Sequence, residues 1–223
     1  MHIEDYALIG NMRTAALVGK NGSIDWLCVP RFDSGACFAA LLGSAENGRW
    51  LIGPQSHTYR ASRRYRDDTL ILETEFTTES GAVTLTDFMP VAERRDQLDV
   101  VRIVKGTRGA VPMRMELQIR FDYGHIVPWV RRRSYGLNAI AGPDAVAVRI
   151  PVPFHSRDFK TIADFVVKQD QSLPFVMTWY PSNEPAPRAK LAQRMLSATE
   201  SWWREWSSRC ASEGEWRSRS SVH

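Results

Sequence analysis

A chain of 223 residues, 43% hydrophobic and 24% charged with a net charge of +4, is long enough to bury its own core and too apolar to be disordered. No apolar run approaches the ~20 residues that cross a bilayer, and the opening Met1-His2-Ile3-Glu4-Asp5 lacks the basic cap and apolar stretch of a signal peptide, so a cytoplasmic location and no membrane partner are expected. The basic residues are scattered apart from Arg131-Arg132-Arg133, and neither a recognition helix nor an RNA-binding fingerprint accompanies them, so nucleic acid is not an expected partner.

In chain order, residues 3–9 can form a short strand that Gly10-Asn11 breaks. Residues 15–18 and 24–29 flank Asn21-Gly22, a hairpin signal because both central residues of a type I′ turn need positive φ. Pro30 cannot donate to a ladder and ends the second strand, leaving Arg31, Phe32, Asp33 and Ser34 at its mouth. Two readings of that mouth stand side by side. Either the side chains face a ligand or partner, or Trp26 and Phe32 belong to the core and Arg31 with Asp33 is a local ion pair. Ser34 is placed to cap a short helix from Gly35 or Ala36 to Leu42, closed by Gly43. Residues 48–54 and 57–65 follow as strands, the second with Tyr59, Ala61, Arg63 and Tyr65 on one face.

From Thr69 the β signal is continuous. Residues 70–78 and 82–89 flank Glu79-Ser80-Gly81, with Val83, Leu85 and Asp87 on one face and Thr84, Thr86 and Phe88 on the other. Residues 99–105 and 112–121 are expected to pair across 106–109. In the second of these Met113, Met115, Leu117, Ile119 and Phe121 alternate with Arg114, Glu116, Gln118 and Arg120. Further strands at 126–130, 135–140, 145–150, 161–167 and 174–180 complete a mainly β fold, a large antiparallel β-sandwich over residues 1–180. A Pro-rich linker at 181–187 then leads to an amphipathic helix at 188–208 with Leu191, Met195, Ala198, Trp202 and Trp206 on its apolar stripe. A helix that also carries Trp203 docks on the sandwich or meets a second domain, and Trp216 would join the same surface. Residues 209–223 lose both periodicity and apolar content, so a disordered tail left by a truncation or a frameshift is expected.

Several segments, taken together and in order, carry a family resemblance. They are Asp5-Tyr6-Ala7-Leu8-Ile9-Gly10, Arg13-Thr14-Ala15-Ala16-Leu17-Val18, the hairpin from Asn21 to Ser34, Ala36-Cys37-Phe38-Ala39-Ala40-Leu41-Leu42-Gly43, Leu85-Thr86-Asp87-Phe88-Met89-Pro90, Arg120-Phe121-Asp122-Tyr123-Gly124 and Pro128-Trp129-Val130-Arg131. They resemble the opening of bacterial family 15 glycoside hydrolases, the trehalase and glucoamylase-like group, over nearly all of the chain up to Trp206. The resemblance implies an N-terminal β-sandwich that is itself non-catalytic and supports an α/α-barrel catalytic domain, normally in the same chain and absent here. The intact enzyme would act on α-glucosidic bonds, trehalose first and α-glucans second, and the helix bearing Trp202, Trp203 and Trp206 would lead into the barrel. This chain alone would then be inactive. Two rival readings are a stand-alone carbohydrate-binding module and a protein-interaction module.

Glycoside hydrolysis needs two carboxyl groups, roughly 6.5–9.5 Å apart for inversion and about 5–5.5 Å for retention. Asp25, Asp33, Asp87, Asp122 and Asp158 are the candidates here, yet such residues at strand ends more often cap turns or pair with arginine, so no catalytic residue is assigned. Cys28, Cys37 and Cys210 form no Cys-x-x-Cys pair and have no histidine at zinc-ligand spacing, so no metal is expected, and no phosphate loop proposes a cofactor. What remains is a surface role. Trp26, Phe32 and Trp129 can stack on sugar faces while Arg31, Asp33, Asp87 or Arg131 bond to hydroxyls, and the same residue types suit a barrel-facing domain contact.

Overall fold

The computed structural model describes residues 1–91 and 96–209, and in them the chain is mainly β. In order the elements are β1 (Tyr6–Gly10), β2 (Ala15–Gly19), β3 (Ser23–Cys28), β4 (Ala36–Phe38), β5 (Arg49–Pro54), β6 (Arg60–Tyr65), β7 (Leu72–Thr78) and β8 (Gly81–Phe88). They continue with β9 (Leu98–Gln118), β10 (Trp129–Arg133), β11 (Gly136–Ala141), β12 (Asp144–Arg149), β13 (His155–Arg157), β14 (Lys160–Lys168), β15 (Ser172–Pro181) and a single helix, α1 (Ala192–Ser208). The expected tail, with Cys210 and Trp216, lies outside the described residues apart from Arg209.

The strands pair antiparallel in two layers that share β9. One layer runs β1-β2-β3-β5, then the C-terminal half of β9, then β14 and β13, with β4 added to β3. The other runs β6-β7-β8, then the N-terminal half of β9, then β15-β12-β11-β10. Ile9, Val18, Ile24 and Met115 of the first layer meet Phe76, Leu85, Val148 and Met177 of the second in one core, which makes the fold a sandwich.

Three expectations change in the structure. Residues 99–105 and 112–118 are one strand, not a hairpin, because Gly106 and Gly109 bend β9 from one sheet into the other instead of reversing it. Gly106 donates to Gln171 O at 2.9 Å and accepts from Asp170 N, and Gln169 N donates to Gly109 O at 2.9 Å, so both glycines are held against the 168–171 turn. A Cβ on Gly106 would meet the Lys168 carbonyl oxygen at 2.1 Å, so only glycine permits this approach. Residues 36–38 form a strand rather than a helix, for Ala36, Cys37 and Phe38 are all fully buried and no polar face exists to turn toward water. Within the span of the expected helix one 3-10 turn forms, at Ala40–Leu42. At the Asn21-Gly22 turn Gly22 alone takes positive φ (81°), and a bulge between Leu17 and Val18 absorbs the register shift that a type I′ turn would have avoided.

The helix is also displaced from expectation. It starts at Ala192, and its buried residues are Ala192, Met195, Leu196, Thr199 and Trp203, a stripe of i, i+3, i+4, i+7 and i+11. Leu191 and Trp206 of the expected stripe are exposed, and so is Ala198. Of the two alternatives for the helix, docking on the sandwich is the one observed. Ala192, Met195 and Leu196 cover Ile71, Phe88, Val101, Ile103 and Val176 on the outer face of the second sheet, which explains why β8 and the first half of β9 are buried on both faces. Arg66 fastens the helix from the side, 2.8 Å from Glu73 on β7 and 2.8 Å from Glu200 on α1.

The cleanest predicted alternation holds: Met113, Met115, Leu117, Ile119 and Phe121 are all core. On the opposite face Arg114 forms a two-point pair with Asp164 directly across on β14, at 2.7 and 2.9 Å. Those hydrogen bonds hold the Asp164 carboxyl below its ordinary pKa. Its stabilisation is therefore present above the unfolded-state pKa and is lost as pH falls through the folded one. Because both partners are about half exposed, Asp164→Asn should cost about 1 kcal/mol or less at neutral pH. Denaturant melts from pH 7 down to strongly acidic pH should show that difference closing.

Candidate functional site

The mouth after β3 is a closed turn. Ser34 N donates to Arg31 O at 3.1 Å, Arg31 N to Ser34 Oγ at 3.3 Å, and Phe32 N reaches back to Arg13 O at 3.0 Å. Within it Arg31 Nε and Nη2 each meet a different Asp33 oxygen at 2.9 Å, with both side chains about two-thirds exposed. The ion-pair alternative is thus what the geometry contains. A solvent-screened pair of this kind adds little to stability, so its rigid planar fork is its main asset. Phe32 is not core: 67% of its surface is exposed.

Beneath this turn Trp26 is half-buried against Cys28, Ala36 and Ala39, and its ring lies 5.9 Å from that of Tyr123. Tyr123 belongs to the 3-10 turn Asp122–Gly124, where Asp122 (φ 50°), Tyr123 (58°) and Gly124 (103°) all take left-handed backbone. Two non-glycine residues in succession there store strain of about 1 kcal/mol or more each. The turn presses on the start of β4, with the Cβ position of Gly35 3.7 Å from Asp122 Cα. Spacing did not disclose this partnership of Trp26 with Tyr123; the Asp-Tyr-Gly turn signature is the only local hint of it.

Trp129 stands apart from these residues. It is 69% exposed at the start of β10, the outermost strand of its sheet, and Arg131 stacks on its ring at 4.5 Å. It lines a groove of about 480 Å³ together with Arg120, Arg132, Phe154, Phe159 and Lys160, and none of Trp26, Arg31, Phe32 or Asp33 lines it. The five expected surface residues therefore divide between two places.

On the helix Trp203 is buried, Trp202 half-buried and Trp206 47% exposed, and the three stack edge to face at 5.0 and 5.7 Å. The indole N–H of Trp203 is buried without a hydrogen-bond partner among the described residues.

The carboxylates have structural occupations. Asp25 is buried and accepts from Tyr6 Oη at 2.6 Å and from Ser23 Oγ; burial of the Tyr6 phenol, with its bond to the Asp25 carboxylate, raises the Tyr6 pKa far above its ordinary value. Asp87 is wholly buried on Arg102, at 2.7 and 3.2 Å, and Asp158 lies 3.3 Å from Arg157. Among the described residues no three His, Cys, Asp or Glu side chains are grouped to hold a metal ion. Cys28 and Cys37 are buried free thiols whose pKa values burial pushes up, opposite to what a reactive thiolate needs. No helix among the described residues is long and apolar enough to cross a membrane.

Comparison with known proteins places this architecture. A family model described as "Trehalase-like, N-terminal" matches residues 1–202. The chain is 26% identical over 221 residues to a trehalase of Thermoplasma volcanium, covering 97% of this chain and 35% of that protein. It is 27% identical over 231 residues to a trehalase of Mycobacterium tuberculosis, covering 92% and 33%. Against Trehalase 2 of Sulfolobus acidocaldarius the identity is 34% over 133 residues, 60% of this chain and 21% of that protein. The chain thus spans about a third of the length of the first two relatives. With its family model matched over most of its length, this chain belongs to the trehalase-like N-terminal family.

Proposed function

We propose that this chain is the non-catalytic N-terminal domain of a family 15 glycoside hydrolase acting on α-glucosidic bonds, trehalose first and α-glucans second. In this reading residues 1–180 form the sandwich, 181–187 the linker, and the helix that follows leads toward an α/α-barrel that supplies the general acid and general base. The observation that carries it is the family match over residues 1–202 in a chain that spans about a third of its trehalase relatives. The burial of Asp25 and Asp87 on structural partners supports it, since a glycosidase pair must be open to substrate and water. So does the exposed Trp206 beside the docked Trp203, for an aromatic on the rim of a settled contact is what a second domain would cover.

The test is to express the polypeptide encoded through and beyond the His223 codon, beside the 223-residue chain, and to measure glucose release from trehalose and maltose. Release by the longer polypeptide, faster from trehalose, with none from the 223-residue chain, is the expected outcome. Turnover by the 223-residue chain alone would overturn the non-catalytic assignment, and a longer polypeptide inactive on both sugars would overturn the substrate class.

A further inference from the structure

The groove that Trp129 borders contains a guanidinium placed against electrostatic expectation. Arg120 is only 6% exposed, yet no carboxylate among the described residues forms an ion pair with it. Its Nη1 donates to the Ile119 carbonyl at 2.8 Å, and with the Gln118 amide in its hydrogen-bonding orientation Nη2 donates to Gln118 Oε1 at 2.9 Å. Glu46, whose field reaches it, is already paired with Lys160 at 3.3 Å. A buried cation satisfied only by neutral oxygens is costly unless an anion completes it. Arg132, Arg157 and Lys160 line the same groove, so the lining is cationic well beyond the single carboxylate of Asp158.

Aromatic surface faces these cations. Trp129 and Phe159 are 69% and 79% exposed, and Arg132 stacks on Phe154 at 4.3 Å, which holds both its guanidinium and that ring in place. Phe159 sits at the tip of the β13–β14 hairpin, where Asp158 (φ 50°) and Phe159 (φ 58°) occupy the two left-handed turn positions that glycine and asparagine ordinarily take. Strain at a bulky exposed aromatic that buries nothing is the pattern of a side chain kept for contact rather than for stability.

We infer that this groove binds a phosphorylated sugar, its phosphate taken by Arg120, Arg132 and Lys160 and the C–H face of its ring laid on Trp129, with Phe159 closing the far side. An anion alone would use the cations and leave the rings idle, and a neutral sugar would do the reverse. The choice of a sugar over other anions with an apolar face rests on the glycosidase reading above. Binding is non-covalent and is measured without turnover, so its failure leaves that reading intact, and failure of hydrolysis leaves the titration intact.

The test is calorimetric titration of the 223-residue chain with glucose 6-phosphate, glucose, inorganic phosphate and adenosine monophosphate at low and high salt. Glucose 6-phosphate is expected to bind at least about tenfold more tightly than the other three, and to weaken as salt rises. Trp129→Ala and Arg132→Gln, both at exposed positions, should each weaken it by about tenfold with the thermal melt unchanged. Arg120→Gln should abolish it, and if that variant does not fold, Arg157→Gln tests the same cationic lining from an exposed site. Equal binding of phosphate or of the nucleotide, tightest binding by glucose, no binding by the folded chain, or binding indifferent to the Trp129 and Arg132 variants would each overturn the assignment.

Discussion

Replacing Arg102 by methionine is expected to lower the unfolding free energy by about 3–5 kcal/mol, read as a fall in the denaturant midpoint at unchanged slope. Arg102 and Asp87 face each other across β8 and β9 and both are wholly buried, so removing the cation strands a carboxylate in the core. More is lost than one pair. The guanidinium crosses the sandwich, donating through Nη1 to Trp50 O and through Nη2 to Gly22 O at 2.6 Å, and it lies over the Trp50 ring at 5.2 Å. It therefore ties the second sheet to the β2–β3 turn and to β5 in the first. Against a typical domain stability of about 5–15 kcal/mol, the single variant should be close to unfolding at 37 °C. A double variant, Arg102→Met with Asp87→Leu, should recover part of the loss, because a paired deletion leaves no uncompensated charge. It should not recover all of it, since Gly22 O and Trp50 O still lose a donor.

The same residues show what a sequence can and cannot disclose. Alternation along residues 113–121 was legible because period 2 depends only on the strand itself, and each of those apolar side chains is in the core. The continuity of β9 was not. Gly106 and Gly109 suit a turn and a bend equally, and the decision lies with the 168–171 turn some sixty residues away. Residues 36–38 misled for a related reason: a short apolar run buried on every side has no period to read. Asp87 carried no mark of its partner, for the pairing with Arg102 is set by the β8–β9 register. At the candidate site the residue types were legible and their grouping was not. Arg31 and Asp33 found each other because they are two residues apart, whereas Trp129 met Arg120, Phe154 and Phe159 through a sheet edge and a distant hairpin.

The helix offers the sharpest contrast between the face expected and the face used. Trp203→Ala should cost about 3–5 kcal/mol in a denaturant melt, as expected for a large buried aromatic. Trp203→Phe should cost no more than about 1.5 kcal/mol, because the indole N–H has no partner among the described residues to lose. Trp206→Ala should cost about 1 kcal/mol or less in this chain, since it removes a half-exposed ring and one edge-to-face contact. The ordering follows from burial rather than from helical phase. Each residue turns the helix by 100°, which puts Trp203 and Trp206 both within the arc of Ala192, Met195, Leu196 and Thr199; Trp203 is buried there, whereas Trp206, a turn nearer the helix end at Ser208, is left 47% exposed. If Trp206→Ala proved the costlier substitution, Trp206 rather than Trp203 would be the ring on which the helix contact depends, and it would not be left for a second domain to cover.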